Sequence, residues 1–355
     1  MLTIKDQTYS RRFIRDEYSA KQGCLTLYQR QTLDFCQRWL RGEDAFVLHT
    51  SGSTGRPKPI TLKRRQMEAS AILTGKAIGL RRGDRALVCL NTAYIAGVMM
   101  LVRGMVLGLE MTVVEPSRRP LNIVGTYDFT ALVPLQVSTS LQHVPDRDVL
   151  DKMKAVLVGG APVDDRLVED AQGLAACLYH TYGMTETVSH IALRRLNGER
   201  ASERFYPLDG VEIALDERGC LIACGPMTLG NTVVTNDRVE LADDGSFVWL
   251  GRVDNVINSG GVKVQAERVE RAVRRAFGDR RVFVVGLPDE TLGQAVTAFV
   301  EAAPSEVVQA QEQGVDGLSR YERPKRYVYL ETFQETETSK IDRQATVRAY
   351  SERHL

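Results

Sequence analysis

The chain has 355 residues, with 46 Lys and Arg against 45 Asp and Glu and a formal net charge of +1. That length exceeds what one compact core holds and predicts two or three domains. The charge balance removes any electrostatic case for nucleic acid or an acidic membrane surface. A hydrophobic fraction of 43% and a charged fraction of 26% are those of an ordinary soluble globular protein.

The N-terminal stretch MLTIKDQTYSRRF lacks an apolar signal core. "AFVLHT" predicts a strand, and the loop "HTSGSTGRPKP", His49 to Pro59, follows it. "RRQMEASAILTGKAIGL" then has helical spacing. "RALVCL", "MTVVE", "FTALVP" and "KAVLVGG" predict buried strands. Strands separated by helical stretches argue for a mainly parallel α/β core. The apolar run Ala86 to Glu115 is broken by Asn91, Arg103 and Glu110, so no uncharged membrane span survives, and it parses as strand, helix, strand.

From about Phe205 the texture changes. "GVEIALDERGCLIACGP" and "NTVVTNDRVELADDGSFVWLGR" show short strands with turn signals, which predicts an antiparallel subdomain. "GRVDNVINSGG" is the best boundary, and helix "AERVERAVRRAF" with strands "RVFVVGLP" and "AVTAFVEA" follow it. The cysteines, Cys24, Cys36, Cys89, Cys177, Cys220 and Cys224, form no CxxC pair and have no His at metal-ligand spacing. They predict reduced structural thiols and a cytoplasmic chain.

Five segments carry candidate chemistry. In "TSGSTGRPK", small and hydroxylated residues let backbone N–H groups surround phosphate oxygens, and Lys58 adds a compact positive charge. The spacing is not that of a Walker loop, and the same residues suit a solvated turn. "YHTYGMTETVSH" offers Glu186 as an oxygen ligand for Mg²⁺ and Thr185 as a phosphate donor, or a helix N-cap. In "VVTNDRVE", Asp237 suits a ribose diol or an ordinary turn. Arg252 and Asp254 stand near the boundary, where an interdomain salt bridge is the alternative role. Lys340 in "ETETSKIDR" is a solvated charge unless its context says otherwise.

Taken in order, these segments resemble the adenylate-forming superfamily of acyl-CoA synthetases, peptide-synthetase adenylation domains and luciferases, over roughly Phe46 to Arg343. "TSGSTGRPK" is similar to its phosphate loop, "VGGAP" and "YGMTE" to its adenine and ATP/Mg²⁺ segments, and "TND", in place of the usual Thr-Gly-Asp, to its ribose motif. "GRVDNVINSGG" is similar to its hinge and the glycine turn after it, and "SKIDR" to the end of its lysine loop.

The resemblance implies an α/β fold. A large N-terminal domain, 1–251, would join a mainly parallel sheet to an antiparallel subdomain and bind ATP and the acyl substrate. A small mobile α+β domain, 252–355, would carry the catalytic lysine. Thr50, Ser51, Gly52, Ser53, Thr54, Gly55 and Lys58 would hold the ATP phosphates. Gly160, Ala161 and Pro162 would lie against the adenine with Tyr182 stacking nearby. Thr185 would touch the α-phosphate and Glu186 would bind Mg²⁺. Asp237 would take the ribose hydroxyls with Arg252 assisting, and Asp254 would be the hinge. Gly260 and Gly261 would serve the CoA side, and Lys340 would reach the substrate carboxylate and the α-phosphate.

Within the superfamily, "NTAYIAGVMMLVRGMVLG" with "YGMTETVSHIALRRLNG" is most similar to the o-succinylbenzoate–CoA ligase branch of menaquinone biosynthesis. Ile95, Met99 and Arg103 share a helix face, an apolar wall ending in a guanidinium that suits an aromatic acid with a second carboxylate. The same arginine suits a helix terminus or an interior acid. Tyr94 and His190 are further pocket candidates, with packing or capping as the alternative. The expected ligands are therefore ATP, Mg²⁺, CoA and o-succinylbenzoate, with no nucleic acid and no stable membrane insertion. Another aryl or acyl acid is the nearest alternative substrate, and a non-catalytic acyl-adenylate or nucleotide-binding protein is the alternative class.

Three features depart from the superfamily pattern. The phosphate loop starts near residue 50, so one wall of the usual fold is expected to be missing or rebuilt. The lysine loop lacks its usual glycine beside Lys340. Gln294 in "LPDETLGQ" replaces a common acid, with an expected effect on a surface contact alone.

Overall fold

The computed structural model describes residues 1–4, 7–19, 25–49, 59–278, 280–302, 315–336 and 341–354. Thr50 to Gly55, Lys58 and Lys340 lie outside the described residues.

A nine-stranded sheet forms the centre. Its parallel strands are β1 (Leu2–Ile4), β5 (Arg85–Val88), β6 (Glu110–Val113), β7 (Phe129–Leu132), β8 (Ala155–Val158) and β9 (Cys177–Gly183). β2 (Gln7–Tyr9) closes one edge, and β10 (His190–Arg195) with β11 (Tyr206–Pro207) closes the other; these pairings are antiparallel. The order across the sheet is β11-β10-β9-β8-β7-β5-β6-β1-β2.

The short apolar runs become strands because both sheet faces are covered. Alternate residues point to opposite covers. Ala86, Val88, Ala155 and Leu157 enter one core with helices α1 (Leu27–Leu40), α2 (Arg64–Ile78) and α3 (Ile95–Leu107). Leu87, Cys89, Val156 and Val158 enter a second core with α4 (Pro134–Leu141), α5 (Val144–Asp151) and α6 (Asp165–Ala171). α3 is apolar almost all round because α1, α2 and the sheet enclose it.

Residues 2–40 supply part of that enclosure. β1 pairs in parallel with β6, Leu2 opposite Met111. On α1, Leu33, Cys36 and Trp39 are buried against the core around α3. Tyr28 donates to the Leu90 carbonyl at 3.2 Å, and the Thr32 and Thr92 hydroxyls meet at 2.9 Å. This edge and cover stand beside the sheet that the short chain was expected to leave open.

The strand expected at "AFVLHT" forms as β3 (Ala45–His49), yet it does not join the parallel sheet. It pairs antiparallel with β4 (Pro59–Lys63), a strand not foreseen, in a two-stranded sheet. Phe46 and Leu48 are buried while Val47 is exposed, the alternation of a half-covered ribbon. "YHTYG" is likewise strand, the end of β9.

The antiparallel unit is a four-stranded sheet of β12 (Glu212–Leu215), β13 (Cys220–Cys224), β14 (Val233–Leu241) and β15 (Phe247–Arg252). Beyond the short turn Val253–Asn255, another sheet contains β16 (Val256–Ser259), β17 (Val262–Gln265), β18 (Val282–Asp289), β19 (Gly293–Glu301) and β20 (Arg326–Leu330). It packs with α7 (Ala266–Phe277) and α8 (Arg343–His354). Its two core clusters use no residue before Ile257. An ion pair at 2.5 Å, Arg275 on α7 to Asp165 on α6, reaches back to the central sheet's cover.

Cys36, Cys89, Cys177, Cys220 and Cys224 are free thiols. Among the described residues, no helix is long and apolar enough to cross a membrane.

Candidate active site

Gly160 to Pro162 and Thr185 with Glu186 follow the C-terminal ends of β8 and β9, the end at which open parallel sheets bind their ligands. β8 runs straight into Gly159, Gly160, Ala161 and Pro162. A Cβ on Gly159 would stand 2.1 Å from the Thr181 hydroxyl, and Gly160 has φ +84°, so this turn needs both glycines. The neighbouring His180 is half-buried with its Nδ1 enclosed, and desolvation, helped by the charge of Arg194, lowers its pKa to about 3.

Tyr182 closes β9 and donates its hydroxyl to Asp237 Oδ2 at 2.8 Å. Its ring packs edge-on against Phe247 and against Phe205, with centroids at 5.1 and 5.7 Å. Burial and the Asp237 carboxylate push the Tyr182 pKa far up, so the phenol keeps its proton. Asp237, on β14, also accepts from Trp249 Nε1 at 3.2 Å, and Arg252 Nη1 stands 3.5 Å away. A nearly buried carboxylate with three donors is a fixed, oriented acceptor.

Arg252 ties this carboxylate to the boundary. Its Nη2 donates to Asp254 Oδ2 at 2.7 Å. Asn236, which replaces the usual glycine of the ribose motif, donates to both Asp254 oxygens at 3.1 and 3.2 Å. The departure thus supplies a side-chain amide that glycine lacks. The Arg252 side-chain bond, the largest favourable cause, and the Asn236 bond hold the Asp254 pKa below the usual carboxylate range. On the far side, Glu267 accepts from the Arg252 N–H at 3.3 Å and from Asn255 at 2.6 Å.

Gly260 and Gly261 form the two-residue turn between β16 and β17, with φ +60° and +84°. Both central residues need positive φ there, which is why glycine fills both. Gln294 reaches this sheet too: its Oε1 accepts from the Asn258 N–H at 2.9 Å, an exposed contact that steadies β16.

After β9 the chain makes a tight 3₁₀ turn, Thr185–Thr187, in place of the helix N-cap that sequence allowed. Thr185 is buried and Glu186 is exposed. Among the described residues Glu186 makes no ion pair, and no group of three or more His, Cys, Asp and Glu side chains gathers as a metal cage. A single free oxygen ligand fits Mg²⁺, which takes one or two carboxylates and completes its shell with phosphate and water.

Val188 then adopts φ 66° and ψ −52°. The Ser189 N–H donates to the Thr187 carbonyl at 2.7 Å across it. A γ-turn of this hand at a β-branched residue costs on the order of 1–3 kcal/mol. The bend brings Ser189 and His190 against α3.

There Arg103 is 2% exposed, one turn beyond the fully buried Met99. Its Nη2 donates to Ser189 Oγ at 2.9 Å, while its buried Nε has no partner. Desolvation lowers its pKa to about 9, which leaves it cationic at neutral pH. Among the described residues no carboxylate pairs with it, and it stands before the last turn of α3. His190 is also buried: its Nε2 lies 3.0 Å from Thr74 Oγ1 and its Nδ1 3.4 Å from Ser189 Oγ. Desolvation, then the Arg103 charge, holds the His190 pKa well below its ordinary value.

The structure therefore assembles two clusters, Tyr182–Asp237–Arg252–Asp254 and Arg103–Ser189–His190–Thr74. Tyr94 is half-buried at the start of α3, and among the described residues no hydrogen bond joins it to either cluster. Phe205, Phe247, Trp249, Thr74 and Ser189 escaped sequence reasoning. Trp249, two residues before the "GR" of the boundary motif, was the one with a visible signal.

The AMP-binding enzyme family profile matches residues 10–245. The 2-succinylbenzoate–CoA ligase of Geobacillus sp. (strain WCH70) is 25% identical over 352 residues, covering 89% of this chain and 71% of that protein. An acyl-CoA synthetase (AMP-forming)/AMP-acid ligase II-like protein from Dyadobacter fermentans DSM 18053 is 44% identical, with a TM-score of 0.63. It shares 93% of this chain and 96% of its own, so the same short architecture occurs there. The O-succinylbenzoate Coenzyme A Synthetase (MenE) from Bacillus subtilis, solved with ATP and magnesium ion, matches in fold at 20% identity and a TM-score of 0.69. That match covers 85% of this chain and 69% of the synthetase. With the family profile spanning most of its length, the chain belongs to the AMP-binding enzyme family.

Proposed function

We propose that the protein ligates o-succinylbenzoate to CoA through an acyl-adenylate, with ATP and Mg²⁺, in the cytoplasm. The observation that carries the substrate assignment is Arg103, a buried guanidinium with an unpaired Nε and no carboxylate beside it among the described residues. Such a charge costs stability unless a bound anion completes it. A dicarboxylic aromatic acid supplies that anion while leaving its other carboxylate to react. The relatives that bear the 2-succinylbenzoate–CoA ligase name support the same assignment.

In the first half-reaction, a carboxylate oxygen attacks the α-phosphorus of ATP and the bond to pyrophosphate breaks. Thr50, Ser51, Gly52, Ser53, Thr54, Gly55 and Lys58 cradle the phosphates, and Thr185 donates to the α-phosphate. Gly160, Ala161 and Pro162 bound the adenine, and Asp237 takes the ribose diol. Glu186 holds Mg²⁺, an ion that neutralises charge on the transferring phosphates. Lys340 stabilises the same charge from the carboxylate side. In the second half-reaction, the CoA thiolate attacks the acyl carbon and AMP leaves.

Residues 252–355 turn as a unit about Asp254 between the two steps, taking Lys340 away and bringing the Gly260–Gly261 turn in. The separate cores on either side of the Val253–Asn255 turn support this division.

The test is CoA-ester formation from o-succinylbenzoate with ATP and Mg²⁺, read by mass. Absence of the ester, with another acid converted, would move the assignment to that acid. Asp237→Asn keeps the shape and removes the charge. It is expected to raise the KM for ATP about 10- to 100-fold, the worth of a charge-assisted hydrogen bond. An unchanged KM would take Asp237 out of the nucleotide site.

A further inference from the structure

The contacts behind Arg103 fix where each proton sits. Thr74 Oγ1 lies 2.8 Å from the Ser70 carbonyl oxygen, which only accepts. The single hydroxyl proton of Thr74 therefore goes to Ser70. The other contact of that oxygen, His190 Nε2 at 3.0 Å, is then made by an Nε2–H donor. A histidine carrying its proton on Nε2 presents a bare Nδ1 to Ser189. Ser189 in turn already accepts from Arg103 Nη2. Its own proton turns toward Nδ1, and its lone pairs face the guanidinium.

We propose that Thr74 and His190 are positioning residues for acid selection, a relay that holds the Ser189 oxygen toward Arg103 and leaves the rest of the guanidinium for the substrate's second carboxylate. The inference rests on the reading of Arg103 given above. Nothing in the relay touches the reacting atoms. Thr74 comes from α2 and Arg103 from α3, with the pair Ser189–His190, at the start of β10, bridging them. The strained turn at Val188 aims both bridge residues inward.

Without the Thr74 hydroxyl, His190 loses the acceptor that selects its tautomer. The proton moves to Nδ1, which now donates to Ser189. The Ser189 hydroxyl proton must then turn elsewhere, in competition with the Arg103 N–H for the incoming carboxylate.

The experiment compares o-succinylbenzoate with 4-oxo-4-phenylbutanoate, the same skeleton without its ring carboxylate, in ATP-dependent CoA-ester formation. The readout is the ratio of kcat/KM for the two acids in the wild type, Thr74→Val, Thr74→Ser and Arg103→Met. Thr74→Val should lower the ratio about five-fold, mostly through the KM for o-succinylbenzoate, as expected for one hydrogen bond. Thr74→Ser, which keeps the hydroxyl, should restore the ratio. Equal loss for both acids in Thr74→Val would mean a packing role and overturn the inference. Turnover of the monoacid reports that each variant is folded. If Arg103→Met leaves the ratio unchanged, the reading of Arg103 fails with it; if Arg103→Met lowers the ratio and Thr74→Val does not, the relay alone is wrong.

Discussion

Lys340→Ala is expected to slow o-succinylbenzoate-dependent ATP–pyrophosphate exchange about 10²- to 10³-fold, the range found when one preorganised transition-state donor is removed. Thioester formation from supplied acyl-adenylate should stay within about two-fold of the wild type. The asymmetry follows from the charge each step develops. Attack on the α-phosphorus loads negative charge onto oxygens between the acid and the nucleotide, where an ammonium is worth most. In the proposed mechanism, attack of the thiolate on the mixed anhydride expels AMP after the domain carrying Lys340 has turned away. Equal slowing of both half-reactions would remove Lys340 from its assigned role. The loop before this lysine, Glu335 to Ser339, has no glycine to ease its motion. Ser339→Gly therefore separates geometry from chemistry: it should leave the adenylation rate within a few-fold, since the ammonium remains.

Arg103→Met should have two effects of opposite sign. The first is loss of about 10²- to 10³-fold in kcat/KM for o-succinylbenzoate, with little change for the monoacid. That is the cost of truncating one partner of a buried charge pair. The second is a gain in stability of the ligand-free protein, on the order of 1–3 kcal/mol. Arg103 is almost fully buried and its Nε has no partner, so the free protein carries an uncompensated desolvation cost. Methionine fills similar volume beside Met99 and Met100 without it. Thermal unfolding without ligand reads the second effect. A variant that is less stable and equally poor with both acids would show Arg103 to be structural.

Much of the fold was legible because its strands are short apolar runs bounded by turn residues. Ala155–Val158 and Phe129–Leu132 are buried at every position, as parallel strands covered on both faces must be. β4 was hidden because "PITLK" follows a long polar loop and carries little alternation of its own. It exists through pairing with β3. The residues proposed for the nucleotide are carried by motifs. Their supports are not, since Trp249 and Tyr182 reach Asp237 only through the register of β14 with β15 and the neighbouring end of β9. Asn236 stands where the ribose motif usually has glycine, and its amide binds Asp254. Thr74 had no signal at all. A threonine in a helix is unremarkable until the fold sets it against a histidine 116 positions away.

The pairing of Leu2 with Met111 has a consequence for how the chain reaches its native state. β1 cannot take its place until β6, far later in the chain, has emerged from the ribosome. Until then the apolar surface of α3 stays uncovered on the side that residues 2–40 will close. Such a long-range parallel contact carries a large loop-closure entropy and a slow search. The edge of the sheet should therefore close late, and the period before closure is when this chain is most exposed to aggregation.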